Sequence, residues 1–337
     1  MVDLRSDTVT RPTAAMVKAM TEAPLGDDVY GEDPTVNRLE EIAAERAGKE
    51  AGLFVPSGTM ANQIAIRILT RGGDEVLTHE DSHPMNWEAG GAAVISGVQL
   101  RPLPGANGIL EEETVRKAFK PEDPHIAPPT LLTLEDTANR GGGTVYPLDR
   151  LDALGEMAHN QGLRVHLDGA RVFNAVVESG VPLDRRLAHI DTVSFCLSKG
   201  LGCPAGSLLC GPRDAIAFGR RVRKMLGGGM RQAGILAAAG LFALEHHVGR
   251  LAEDHRRARV LAEALRGAGY TVASPSTNLV FVNGVRAPRE LCEAAKSRGV
   301  LFSAAGPNTV RLALHLDIDD AGVARAVQVL SDLAEAY

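Results

Sequence analysis

Short apolar runs of strand type recur through the first two thirds of the chain, and most are separated by segments with helical periodicity. The runs are Gly52-Leu53-Phe54-Val55, Glu75-Val76-Leu77-Thr78, Leu131-Leu132-Thr133-Leu134, Arg164-Val165-His166-Leu167, Thr192 to Leu197 and Ser207-Leu208-Leu209-Cys210. Between them, Met60-Gln63-Ile64 leads to Ile68, and Leu148-Leu151-Leu154-Met157 to His159, at the spacing of one helix face. Strands alternating with helices imply βαβ units and a mainly parallel sheet covered on both faces. Such sheets bind ligands beyond the carboxyl ends of their strands. The polar groups there are Pro56-Ser57-Gly58-Thr59, Glu135, Asp168 and Ser198-Lys199.

After about residue 231 the texture changes. An alanine-rich helical stretch from Gln232 to Ala268 leads into a smaller α+β arrangement, with strands at Leu279 to Val282 and Val310 to Leu314. Helices are expected at Arg289 to Arg298 and Asp320 to Ala336; the second carries Val323, Val327 and Leu330 on one face, with Asp319 and Asp320 near its start. This reading divides the chain into an arm and large domain over residues 1–245 and a small C-terminal domain over 246–337.

A net charge of -6 argues against nucleic acid or an anionic membrane as the main partner, since both require clustered positive charge. The first residues, MVDLRSDTVT, hold Asp3 and Asp7 and do not resemble a signal peptide. The longest uncharged apolar run, Ile235 to Leu244, is too short to span a bilayer. Cys196, Cys203, Cys210 and Cys292 match no zinc spacing and read as small buried hydrophobes in a reducing cytoplasm. No metal ligand set stands out. The hydroxyls of Thr8, Thr10 and Ser194 read as turn and strand hydroxyls rather than as cation ligands.

Lys199 is the anomaly. It follows the apolar run "VSFCL" and is flanked by Ser198 and Gly200, where a lysine seeking water is out of place. A lysine that attacks a carbonyl must shed its proton, which a desolvated, glycine-lined pocket favours. Asp168 in "HLDGAR" closes another buried strand. A carboxylate there needs a cationic or hydrogen-bonding partner, which is either Arg171, a helix cap, or the protonated nitrogen of a pyridine ring. Ser57-Gly58-Thr59 sits where a strand meets a helix and reads as a helix cap or as a phosphate cup. It lacks the Walker lysine and the three spaced glycines of a dinucleotide site. Taken together, cup, carboxylate and lysine are the parts needed to hold pyridoxal 5'-phosphate, with Lys199 as its Schiff-base partner.

The chain resembles the low-specificity L-threonine aldolases, within the fold-type I pyridoxal phosphate enzymes. The likeness rests on "DLRSDTVTRPT", "GDDVYGEDPTVNRLE", "FVPSGTMANQIAI", "HLDGARVFNA", "SFCLSKGLGCPAGSLLCG" and "GGGMRQAG", spread along nearly the whole chain. It implies an α/β large domain built on a mainly parallel seven-stranded sheet, with a smaller C-terminal α+β domain. The activity implied is reversible retro-aldol cleavage of L-threonine, L-allo-threonine and other β-hydroxy-α-amino acids to glycine and an aldehyde. A β-eliminating lyase is the nearest alternative, and a non-catalytic binding protein a more distant one.

The resemblance also distributes roles. Lys199 would join the cofactor, Asp168 meet its ring nitrogen, Gly58 and Thr59 hold its phosphate, and His83 stack on its ring. Ser6, Arg171 and Arg311 would hold the substrate carboxylate, a task suited to guanidinium forks. Lys224 and Arg231 would add positive charge near the phosphate, and Tyr30 and Arg231 would reach a neighbouring subunit's site in a tetramer made of two dimers. His83, His125 and Glu88 are the candidates for handling the β-hydroxyl proton. One stretch departs from the family pattern: "LEDTANRGGG" has Asp136 and Ala138 where an amide and a histidine are usual, so extra negative charge near the substrate hydroxyl is expected.

Overall fold

The computed structural model describes residues 1–337. A two-residue strand, β1 (Val2–Asp3), opens the chain. The central sheet contains β2 (Ala51–Val55), β3 (Glu75–His79), β4 (Gln99–Leu103), β5 (Pro129–Glu135), β6 (Arg164–Asp168), β7 (Thr192–Cys196) and β8 (Ser207–Gly211). Their order is β2-β8-β7-β6-β5-β3-β4. Pairs from β4 through β7 are parallel, and β8 runs antiparallel to both β7 and β2. Strands β3, β7 and β8 are buried at every position, which explains their continuous apolar runs.

The seventh strand, β4, has no counterpart among the six apolar runs. Its sequence, Gln-Leu-Arg-Pro-Leu, is polar and only Leu103 is buried. As an edge strand it tolerates Pro102, whose missing N–H would break a central ladder. Because β4 and β5 lie on opposite sides of β3, the strand order reverses at β3/β5, and a crevice opens there at the carboxyl ends.

The long helix expected over Gln232 to Ala268 is two helices, Gly234–His246 and Leu251–Gly267. The break has a local cause. The His247 ring nitrogen Nδ1 lies 2.7 Å from Leu201 O in the loop after Lys199, and Gly249 follows, a poor helix former. The C-terminal sheet holds β9 (Thr271–Val272), β10 (Leu279–Asn283), β12 (Ser303–Gly306) and β13 (Thr309–Ala313), all antiparallel, while β11 (Val300–Leu301) pairs with β1. The final helix spans Asp320–Ser331 and ends before the expected Ala336.

Two large apolar clusters follow this arrangement. One packs the helices Pro34–Ala47 and Gly234–His246 against the central sheet. The other joins the helices Leu251–Gly267 and Asp320–Ser331 to the C-terminal sheet and also takes in Leu4 from the N-terminal arm. No helix is long and apolar enough to cross a membrane.

Candidate active site

Strands β2, β5, β6 and β7 end at a single cavity of about 150 Å³, lined by Gly58, Thr59, His83, Glu135, Asp168 and Lys199 among others. Register places them there. Glu135 on β5 is opposite Asp168 on β6, and Asp168 is opposite Ser194 on β7, so three adjacent strand ends project in a row. Lys199 lies just beyond β7, where a turn closed by the Gly202 N–H on Lys199 O needs the positive φ of Gly202, 79°.

The phosphate end is the start of the helix Gly58–Leu69. Ser57 caps it, its hydroxyl accepting from Met60 N at 3.2 Å, and the first intrahelical bond is Ala61 N to Ser57 O. The N–H groups of Gly58 and Thr59 precede that bond and line the cavity. Such free donors at a helix start favour an anion. Glycine at 58 has a steric reason, since a Cβ there would meet Cys196 Sγ at 2.7 Å.

Asp168 is 4% exposed and has no cationic partner. Its oxygens accept from Ala170 N at 3.0 Å and Asn62 Nδ2 at 2.7 Å. The Arg171 pairing left open by the sequence does not form, because Arg171 turns its fork to Asp7, with Nε at 2.6 Å and Nη2 at 2.7 Å. Burial opposes the Asp7 charge, but Arg171, aided by Lys199 and Arg311, overcomes it and holds the carboxyl well below its ordinary range. A buried carboxylate facing a cavity without a counterion, beside a lysine amine with no hydrogen-bond partner, fits a protonated pyridine ring bearing an aldehyde.

His83 begins a short helical turn after β3. Its Nδ1 meets Glu88 Oε1 at 2.8 Å, a bond that raises the imidazole above its ordinary value, while its backbone N–H donates to Glu135 Oε2 at 2.9 Å. Glu135 also accepts from Asn139 N at 2.9 Å. Burial first, then the charge of Asp168, push the Glu135 carboxyl up to about 7. Beneath the cavity, burial pushes His166 down to about 4, so it is neutral near pH 7.

Arg311 on β13 does not line the cavity itself but lies behind Asn139, which does, and it has no acidic partner. It reaches Asn139 Oδ1 at 3.3 Å and Arg5 O at 3.1 Å, its Nε is unpaired, and burial together with Arg171 lowers its proton affinity. Arg171 offers only Nη1, 3.4 Å from the same Asn139 oxygen. Ser6 lies next to Asp7, its hydroxyl accepting from Thr8 N at 3.3 Å.

Several expected residues are elsewhere. The His125 side chain is 90% exposed on a loop, with Nδ1 on Asp123 at 2.7 Å, and the structure does not bring it to the cavity. Tyr30 is 75% exposed, Arg231 pairs with Asp27, and neither lines this chain's cavity; nor does Lys224. The expectation of extra negative charge from Asp136 is corrected. That side chain is fully buried against Arg186 and the Tyr146 N–H, away from the cavity lining. Thr10 and Ser194 spend their hydroxyls on protein, Thr10 on the carbonyls of Asp7 and Lys199, and Ser194 on Asn62.

Asp7, Asn62 and Asn139 are the residues that sequence reasoning passed over. Asn62 and Gln63 carried a signal: two adjacent amides inside "MANQIAI", a helical segment otherwise apolar, and both are buried. Asp7 carried none, for an acid near a chain start reads as solvated.

Fold and site together define a fold-type I enzyme that depends on pyridoxal phosphate. The profile of the family described as "Beta-eliminating lyase" matches residues 3–286. The low specificity L-threonine aldolase of Escherichia coli (strain K12) is 49% identical over 320 residues, covering 94% of this chain and 95% of that protein. The low-specificity L-threonine aldolase 1 of Arabidopsis thaliana is 40% identical over 333 residues, covering 96% and 93%. The solved Leishmania major threonine aldolase superposes with a TM-score of 0.84 at 21% identity over 99% of each chain, which speaks for the fold. The chain belongs to the low-specificity L-threonine aldolase family, a family of lyases.

Proposed function

We propose that this enzyme cleaves L-threonine, L-allo-threonine and related β-hydroxy-α-amino acids reversibly to glycine and an aldehyde. The observation that carries the reading is the pair in one cavity: Asp168, a buried carboxylate without a counterion, and Lys199, an amine without an acceptor. Pyridoxal phosphate, once bound, supplies the sink for the electron pair left on Cα when the Cα–Cβ bond breaks. Gly58 and Thr59 hold its phosphate at the helix start, and Asp168 keeps its ring nitrogen protonated. Lys199 Nζ, free of any acceptor in the cavity, is the amine that would hold the cofactor through its aldehyde.

Arg311 receives the substrate carboxylate, with Ser6 and the remaining edge of Arg171 beside it. His83, held through Nδ1 by Glu88, keeps Nε2 free to take the β-hydroxyl proton as the bond to Cβ breaks. We further read the chain as a cytoplasmic homotetramer in which Tyr30, Lys224 and Arg231 serve a neighbour's cavity. The exposed apolar side chains Leu25, Val29 and Met225 near them in sequence, and four unpaired cysteines, support this. Residues 246–337 are read as the small domain that carries Arg311.

The test is product analysis with all four threonine stereoisomers and serine, with pyridoxal phosphate added. Glycine and acetaldehyde from the L isomers, from a yellow protein whose colour is lost in Lys199→Ala, are expected. Pyruvate and ammonia from serine, without aldehyde from threonine, would overturn the reading in favour of β-elimination.

A further inference from the structure

Glu88 and Asp168 belong to different elements, yet an oxygen of each lies within 4.8 Å of the other, and both residues are buried. Two carboxylates so close disfavour double ionisation unless donors intervene. One side chain intervenes. Asn62, on the helix that begins at Gly58, directs Nδ2 to Asp168 Oδ2 at 2.7 Å and to Glu88 Oε1 at 2.8 Å.

The amide's orientation follows from its other end. Asn62 Oδ1 accepts from Ser194 Oγ at 2.8 Å and lies 3.2 Å from His166 Nε2. His166 Nδ1 lies 2.9 Å from the Thr192 hydroxyl and 3.1 Å from the Thr192 carbonyl, so the ring does not set the amide; the Ser194 hydroxyl and the two carboxylates do. A flipped amide would set its oxygen against two carboxylates. Gln63 Nε2 closes the set on Glu88 Oε2 at 2.5 Å.

We infer that Asn62 is a positioning residue whose one amide fixes Asp168 and Glu88 side by side, and so links the ring-nitrogen partner of the cofactor to the histidine that handles the substrate proton. This rests on the functional reading above. The charged and titratable groups facing His83 are Glu88 on its own turn, Glu135 at the end of β5, Asp168 at the end of β6 and Lys199 after β7. Without Asn62, Asp168 retains Ala170 N and the cofactor's ring proton, whereas Glu88 keeps only Gln63 and is no longer held toward His83 Nδ1, so the bond that raises His83 loosens.

The experiment uses pyridoxal phosphate-loaded wild type, Asn62→Ala and Ser194→Ala, following the His83 ring by NMR against pH beside steady-state kinetics. In Asn62→Ala the His83 midpoint is expected to fall by about one pH unit and kcat by roughly 10-fold, with KM changed by less than about 3-fold. Ser194→Ala, which only loosens the amide, is expected to move His83 the same way by less. Wild-type midpoints and kcat in both loaded variants would overturn the proposal. Should Asn62→Ala fail to fold, a neutron structure of the wild type decides. An amide with N–H₂ toward both carboxylates supports the role, and the reverse orientation overturns it. A wild type that takes up no pyridoxal phosphate would defeat the functional reading instead, and the amide orientation would still be read in the cofactor-free protein.

Discussion

Two guanidinium groups meet at Asn139, which lines the cavity, and their partners give them different work. Arg171 is committed to Asp7 through two short charge-assisted bonds, while Arg311 has only carbonyl oxygens to bind. A fork held by neutral acceptors exchanges them for a carboxylate at little cost, whereas prising Arg171 from Asp7 would leave a buried acid unpaired. The expected outcome for Arg311→Lys is therefore a KM for threonine raised by roughly 10- to 100-fold, with kcat changed far less, because lysine keeps the charge and loses the fork. Steady-state kinetics on the loaded enzyme checks it, and an unchanged KM would move the receptor to another residue. The sequence resemblance had grouped Arg171 with Arg311 because both are arginines in matching motifs. Only the through-space encounter with Asp7, 164 positions away, separates them.

At the scale of elements, the helix Gly58–Leu69 does two things at once. Its first turn presents free N–H groups, and its second places Asn62 over the ends of β6 and β7. Both depend on how closely the helix start approaches Cys196. Gly58→Ala would set a methyl 2.7 Å from Cys196 Sγ, so the first turn must shift. Overpacking of this kind costs roughly 1–3 kcal/mol, and cofactor affinity is expected to fall by about 10-fold or more. Fluorescence titration with pyridoxal phosphate measures it, and adding Cys196→Ala, which removes the obstructing sulfur, should restore most of the loss. Strands with unbroken apolar runs, such as β7 and β8, were legible in the sequence because burial on both faces leaves no alternation to confuse. Strand β4 was illegible for the opposite reason, being exposed, polar and interrupted by Pro102. The break at His247 was hidden too, since its cause is a contact with Leu201 rather than any local signal beyond Gly249.

Across the whole molecule, the N-terminal arm ties the two sheets to the same site. Strand β1 pairs with β11, Leu4 N donates to Leu301 O at 2.7 Å, and Leu4 O accepts from Ala313 N at 2.8 Å, two residues beyond Arg311. A few residues on, Asp7 holds Arg171 and Thr10 bonds Lys199 O at 3.0 Å. The substrate-carboxylate end is thus assembled from three distant parts of the chain, and the arm sets their spacing. The phosphate and ring-nitrogen ends of the cofactor site use none of these contacts, depending on the helix Gly58–Leu69 and β6, and the arm meets the cofactor site only at the Lys199 carbonyl. Disturbing the arm's anchor should therefore separate the two functions. Leu4 is fully buried in the C-terminal apolar cluster, so Leu4→Ala is expected to cost about 2–5 kcal/mol in urea denaturation. In the folded fraction, pyridoxal phosphate affinity should stay within about 3-fold of wild type while the KM for threonine rises by roughly 10-fold, since a displacement of the arm misplaces Ser6 and Arg311 but not Asp168. Equal losses in cofactor and substrate binding would mean that the arm supports the fold as a whole rather than the spacing of its carboxylate receptor.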